Sequence, residues 1–311
     1  MDLLSDILKV VKMSGTLYFR TAFTAPWGVE VPSFENVSRF HYVHRGRCFV
    51  TVAGQRDTVL LEQGDLIIVS GGSGHSLADP ADVDIKTLDQ VVEESGFDGR
   101  GALIIGDTPT DHDTQLICGH FAFDPGARHV LLDALPQLIH IKKYGAVSPD
   151  WLDDSLQLIG SEAGSNHLGS DLIALNLAEI IFTQAIRSHV LENGQHLKGL
   201  AGFNDAHIRK ALAAIHENPS HSWSVDSLAK RSGMSRTAFS NRFNDLLDRT
   251  PLQYLTEWRM QLARQLLTDT GLPIVEVAMR SGYGSEAAFS RVFKRHFLVP
   301  PAEFRRSRRA G

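Results

Sequence analysis

The sequence predicts an α+β chain of two domains, a β-rich N-terminal part and an all-α C-terminal part, joined by a helical connector. Three observations carry this reading. Short β-forming runs separated by glycine turns fill residues 16 to about 124. Apolar residues then take helical spacing from 125 to about 193. Finally, one short helical motif is written twice between Trp223 and Phe297. At 311 residues the chain is also longer than a single core usually organises.

Ahead of the strands, Leu3, Leu4, Ile7, Leu8 and Val11 put one apolar face on a short helix that ends before Gly15. The expected strands cover 16–23, 39–43, 48–52, 58–61, 66–69, 102–105 and 115–123. Many short strands punctuated by Gly46, Gly54, Gly64, Gly71, Gly72 and Gly74 predict a small sandwich or barrel. Residues 82–113 are acidic and irregular in parts, and are expected to include an exposed loop.

Residues 130–141 and 151–161 read as two amphipathic helices, and 172–191 as a third that is strongly apolar. In the third, Leu172, Ile173, Leu175, Leu177, Ile180, Ile181, Phe182 and Ile186 cover most of the circumference. A helix apolar nearly all round needs burial from several sides. Dimerisation through these helices is the preferred arrangement, and packing within one subunit is the other. Residues 193–202 form a glycine-bearing linker, after which Asn204 or Asp205 caps a new helix. The expected divisions are therefore 1–124, 125–202 and 203–311.

The repeated motif lies in the last division. In the first copy Ser224 is a natural N-cap, and Val225, Leu228 and Ala229 form the apolar face of a short helix. Gly233 breaks that helix and Ser235 caps a second one, in which Phe239 and Phe243 lie four apart and face inward. The second copy opens at Pro273 as a first helical residue, with Ile274, Val277 and Ala278 as its apolar face. Gly282 breaks it, Ser285 caps the next helix, and Phe289 and Phe293 repeat the inward pair. Two helices joined by a glycine turn, the second polar and basic on its free face, make a helix-turn-helix. Between the copies, Leu252, Leu255, Trp258, Leu262, Leu266 and Leu267 predict one long helix over 251–270, with Arg259, Arg264 and Gln265 as polar residues between them. It would hold two reading heads for major-groove segments roughly 34 Å apart.

Trp258-Arg-Met-Gln-Leu-Ala-Arg-Gln-Leu-Leu, Ile274-Val-Glu-Val-Ala and the run from Gly282 to Arg295 resemble the C-terminal domain of AraC/XylS-type transcription regulators. Pro300, Pro301 and Phe304-Arg-Arg are similar to that family's closing segment. Gly64-Asp-Leu-Ile-Ile-Val, with Gly72 and His75, resembles the second motif of cupins, and residues 40–48 fall where the first motif would. Together these imply a cupin-like β-barrel carrying a double helix-turn-helix. The paired His-x-His with a following Glu is absent, and Ser70 stands where that motif has proline.

The resemblance implies base reading by Thr237, Ser240 and Asn241 in the first recognition helix. In the second, Arg291 suits guanine O6 and N7 in bidentate fashion, with a phosphate contact as the competing role. Glu286, Ala287 and Ala288 could touch cytosine or a thymine methyl, or serve as spacers. Ser235, Arg236, Arg242, Ser285, Lys294 and Arg295 are the candidates for backbone phosphate. In the barrel, His41, Cys48, His75, Cys118 and His120 are candidates for effector binding or redox sensing. A His/Cys cluster would also suit a metal such as zinc or copper, while buried hydrogen-bonded histidines and buried thiols are the plain alternatives. No cofactor is otherwise expected.

Net charge divides unevenly along the chain. From Phe203 onward 17 Lys/Arg stand against 10 Asp/Glu, an excess of +7 that leaves −12 before it within the overall −5. The basic end suits phosphate. No apolar run approaches a membrane span, no export signal is visible, and two cysteines make no disulfide framework. A cytoplasmic homodimer is expected, with double-stranded operator DNA and RNA polymerase as partners and a small molecule or oxidant as its signal. The role expected is a sequence-specific transcription regulator and not an enzyme. The rival is a metal-dependent cupin enzyme fused to a DNA-binding domain.

Overall fold

The computed structural model describes residues 2–99, 102–106, 114–142, 158, 162, 167–194 and 197–309. The helix expected over 151–161 lies outside the described residues apart from position 158. Contacts divide the chain into two compact units, each assembled from separated segments. A β-rich unit takes Met13–Phe123 and Leu135–Ile186, and a helical unit takes Met1–Lys12, Asp124–Ala134 and Arg187–Gly311.

In chain order the elements begin with α1 (Leu3–Val10), β1 (Ser14–Phe23), β2 (Trp27–Val31), β3 (Val37–Arg45) and β4 (Arg47–Val52). Next come β5 (Thr58–Glu62), β6 (Leu66–Val69), β7 (His75–Asp79), β8 (Lys86–Thr87), α2 (Leu88–Ser95), β9 (Ala102–Ile105) and β10 (Gln115–Ala122). These strands, with β11 (Leu138–Ile141), form one sheet ordered β11-β6-β3-β10-β1-β9 and another ordered β5-β4-β7-β2-β8. Period-two alternation turns Val43, Cys48, Val50, Ile67, Leu77, Leu116 and Cys118 into a shared core between the sheets.

One sequence expectation fails here. The helix expected over 130–141 is a single turn, α3 (Val130–Asp133), followed by strand β11. Pro136 removes a backbone donor and disfavours helix at the residue before it. The apolar residues of 138–141 then find pairing partners along β6.

The apolar helix exists as α4 (Ser170–Asn193). Within the β-rich unit its Ala178, Ile181 and Phe182 are fully buried, and Phe182 meets Phe121 and Phe123 with ring centroids 4.4 and 5.9 Å away. Its other side leaves Leu172 62% and Ile180 43% exposed. Burial on one side only is the outcome. Among the described residues no helix is long and apolar enough to cross a membrane.

The helical unit contains α5 (Ala201–Asn204), α6 (Ala206–Glu217), α7 (Val225–Ser232), α8 (Arg236–Leu247), α9 (Pro251–Asp269), α10 (Ile274–Arg280), α11 (Glu286–Phe297) and α12 (Pro301–Arg309). Helix α1, capped by Asp2, packs on α6 and α9 within this unit. Arg264 of α9, one of the polar residues between the apolar positions, is fully buried. It ion-pairs with Asp124, donates from Nη2 to the Val10 carbonyl at 3.0 Å and from Nε to Gln261 Oε1 at 3.1 Å.

A second polar chain crosses the same unit. The Leu131 amide donates to His129 Nδ1 at 3.1 Å, which leaves the ring proton at Nε2, 3.2 Å from the Tyr254 hydroxyl. That hydroxyl then donates to His216 Nε2 at 2.8 Å, and His216 Nδ1 stands 3.7 Å from Asp6 Oδ2. Burial holds both histidines neutral, His216 at about 3 and His129 well below its ordinary value.

Candidate nucleic-acid interface and ligand cavity

In the first head, Ser224 and Ser227 form a reciprocal capping box at the start of α7. The helix ends at Gly233 in the left-handed conformation, φ +69°, and Ser235 caps α8 by accepting from the Ala238 amide. Phe239 and Phe243 are fully buried with ring centroids 5.6 Å apart, fixing which face of α8 looks outward. On that face Arg236, Thr237, Asn241 and Arg242 are exposed and Ser240 is half-buried.

The second head repeats this plan. Pro273 occupies the N-cap of α10, one position ahead of the place the sequence suggested, and Gly282 follows at φ +79°. Ser285 caps α11 through the Ala288 amide, and Phe289 and Phe293 pack 5.5 Å apart beneath it. Glu286, Ala287, Arg291, Lys294 and Arg295 are exposed, and Ala288 is half-buried.

The two ridges differ in electrostatics. Arg236 pairs with Asp226 at 3.0 Å, and Arg242 makes a forked bond to Asp205, the N-cap of α6. Arg242 therefore has an internal carboxylate partner. Arg291, Lys294 and Arg295 have no ion pair among the described residues. Helix α11 thus presents uncompensated positive charge, and α8 a ridge of hydrogen-bonding groups with its arginines already paired.

Between the heads, Arg259 of α9 donates from Nε to the Pro219 carbonyl at 2.7 Å and from Nη2 to the His221 carbonyl at 2.8 Å. Sequence periodicity places Arg259 only as a polar residue between apolar positions; its tie to residues about forty positions earlier has no local signal.

The β-rich unit contains a partly open cavity of about 220 Å³. Its walls are mostly apolar, with Thr21, Arg39, His41, Asp89 and Cys118 as the polar or thiol-bearing members. His75 Nδ1 donates to the Ser73 carbonyl at 3.3 Å, so its Nε2 accepts from His41 Nε2 at 2.8 Å. His41 Nδ1 then accepts from the Cys118 thiol, 3.1 Å away. Every member of this chain is neutral and every ring nitrogen is occupied.

Burial enforces that state. It lowers His41 far below its ordinary value and His75 to about 4, while raising Cys118 to about 12. The three side chains form a line through His41 and do not converge on one point. Among the described residues no group of three or more ligating side chains is placed to hold a metal. Cys48 lies in the apolar core, its thiol also pushed up by burial, and does not line the cavity. His120 is half-buried, with burial and the nearby Arg39 charge lowering its protonation. Sequence reasoning thus brought together His41, His75 and Cys118 but missed Arg39. Its signal was available, since residues 39 and 41 of one strand share a face.

Comparison with known proteins places both parts. A family described as Cupin matches residues 2–191, and one described as Helix-turn-helix domain matches residues 228–307. The HTH-type transcriptional regulator AlkR of Acinetobacter baylyi is 31% identical over 309 residues, covering 98% of this chain and 99% of that protein. A putative AraC-like transcription regulator of Streptomyces lividans is 32% identical over 311 residues, covering 98% of each. Among solved structures, the DNA-binding domain of AdpA in complex with a target DNA is 34% identical, covering 34% of this chain and 95% of that one at a TM-score of 0.33.

Proposed function

Because the chain belongs to the AraC-type transcription regulators that carry an N-terminal cupin domain, we infer that it reads operator DNA with α8 and α11 and that its barrel controls operator occupancy. One observation carries this reading. The same exposed polar ridge is built twice, each time on a capped helix anchored from behind by two buried phenylalanines.

On α8 the base-reading residues are Thr237, Ser240 and Asn241, with asparagine suited to the N6/N7 edge of adenine. On α11 they are Glu286, Ala287, Ala288 and Arg291, with Arg291 as the bidentate guanine donor. Lys294 and Arg295 supply phosphate contacts that position the protein without reading sequence. Ser235 and Ser285 place helix amides near phosphate while capping. Arg236 reaches phosphate by exchanging Asp226 for it, and Arg242 supports the ridge from its bond to Asp205.

A small molecule in the cavity changes how the two heads are presented, which is a population shift between presentations with different DNA affinity. Two chains associate through the exposed apolar side of α4. Such a protein works beside RNA polymerase in the cytoplasm, where its operator lies. Oxidation of Cys48 or Cys118 is the less favoured signal, because both thiols are buried and held protonated. The contacts of Cys118 and His75 leave opposite ring nitrogens of His41 and do not converge on one point, which counts against a cupin metal enzyme.

Mapping the genomic fragments retained by the purified full chain tests the main reading. A short element recurring as two halves about one helical turn apart is expected. Retention of all fragments alike would contradict it.

A further inference from the structure

Among the described residues of the cavity wall, Arg39 is the buried polar member whose bonding is incomplete. Alternation along β3 turns residues 39, 41 and 43 to the inside, and Arg39 is only 6% exposed. Of its five N–H donors, Nη1 reaches the Pro32 carbonyl, while Nε is buried without a partner. Its guanidinium sits 5.2 Å from the centre of the Phe34 ring. No carboxylate among the described residues lies within 4.0 Å of it. Asp89 lines the same cavity but is solvent-exposed and unpaired with Arg39.

The other buried polar groups of the wall are satisfied. Thr21 Oγ1 accepts from the Leu116 amide at 2.9 Å, and His41 and Cys118 belong to the neutral chain that ends at Ser73. A buried cation with spare donors among apolar walls is costly unless an anion completes it.

We propose that the cavity binds a small amphiphilic anion, an apolar body of about ten non-hydrogen atoms bearing one carboxylate that seats on Arg39. The size follows from the volume. A cavity of about 150 Å³ admits benzene, so 220 Å³ takes a ring or short chain with one charged head. Guanidinium meets carboxylate in a forked pair whose directionality a neutral amide or hydroxyl does not reproduce. The histidines beside it, held neutral, lend no second charge, so one anionic group is the complement. This inference rests on the reading of the barrel as the sensing part.

Calorimetric titration of the full chain with 4-methylbenzoate, hexanoate and the neutral isostere 4-methylbenzamide tests it. Both carboxylates should bind, and 4-methylbenzoate should bind about tenfold or more tighter than the amide. Arg39→Gln should erase that preference while Arg39→Lys keeps part of it, and far-ultraviolet circular dichroism of both variants matching the native chain reports an intact fold. Equal affinity for acid and amide in the native chain, or a preference that survives Arg39→Gln, overturns the charge assignment and leaves the cavity as a sensing site. No binding of any of the three overturns the ligand class and leaves the sensing reading standing.

Discussion

The guanidinium of Arg259 lies 5.8 Å from the centre of the Tyr283 ring, so one side chain from the long helix touches the turn of the second head. The same guanidinium holds the Pro219 and His221 carbonyls ahead of the first head. A single half-buried arginine therefore ties the two heads through α9. Arg259→Ala should cost about 1–3 kcal/mol of unfolding free energy. It should also weaken binding to a two-half operator more than to an isolated half-site, as read by denaturant melts and gel shift. Equal loss on both DNAs would deny Arg259 its spacing role.

Gly233 and Gly282 occupy corresponding turns, and both need positive φ, but their surroundings differ. A Cβ on Gly233 would meet nothing within 4 Å, whereas one on Gly282 would fall 2.7 Å from the Arg259 guanidinium. Gly233→Ala should lose only the backbone cost, about 1–2 kcal/mol. Gly282→Ala should lose that and also displace Arg259. Thermal melts that rank the two in the opposite order would contradict the packing described.

Asp124 and Arg264 form a pair in which the arginine is fully buried. Asp124→Ala strands that charge and should cost about 3–5 kcal/mol. Pairing Asp124→Leu with Arg264→Met should restore much of the loss, because neither charge is then stranded. A double variant less stable than Asp124→Ala alone would show that the ion pair is worth more than its desolvation.

Acid should loosen the helical unit through His216, stacked on Trp258 with centroids 3.8 Å apart. Its folded value of about 3 lies below the ordinary 6.5. Between those two values the unfolded chain binds the proton and the folded one does not, so stability falls as pH drops from 6.5. Above 6.5 both states are neutral and the contribution is flat. Urea midpoints measured from pH 7 to 4 should decline less steeply in His216→Gln than in the native chain. Parallel slopes would remove His216 as a source.

Local pattern carried much of this architecture. Caps at Ser224, Ser235 and Ser285, the turn glycines and the spaced phenylalanine pairs are interactions between residues a few positions apart, and the sequence states them directly. The strands containing His41 and Cys118 were legible from alternation, although the pairing that joins them was not. What stayed hidden depends on distant partners. Arg264 reads only as a polar residue between apolar positions until Asp124 and Val10 arrive beside it, and His129, His216 and Tyr254 acquire meaning only as a chain. Pro136 is a local signal against a helix over 130–141, whereas the β6 edge that captures 138–141 lies some seventy residues earlier.

Footprinting the full chain on its operator tests the account most directly. Two protected major-groove segments about one helical turn apart are predicted. Arg291→Ala should cost about 1–3 kcal/mol and relax preference at one base pair in one segment only. Lys294→Ala should weaken all sequences alike and lower the salt dependence by about one contact. A single protected segment, or a native pattern that survives Arg291→Ala without loss of affinity or preference, would contradict the reading of α8 and α11 as paired recognition helices.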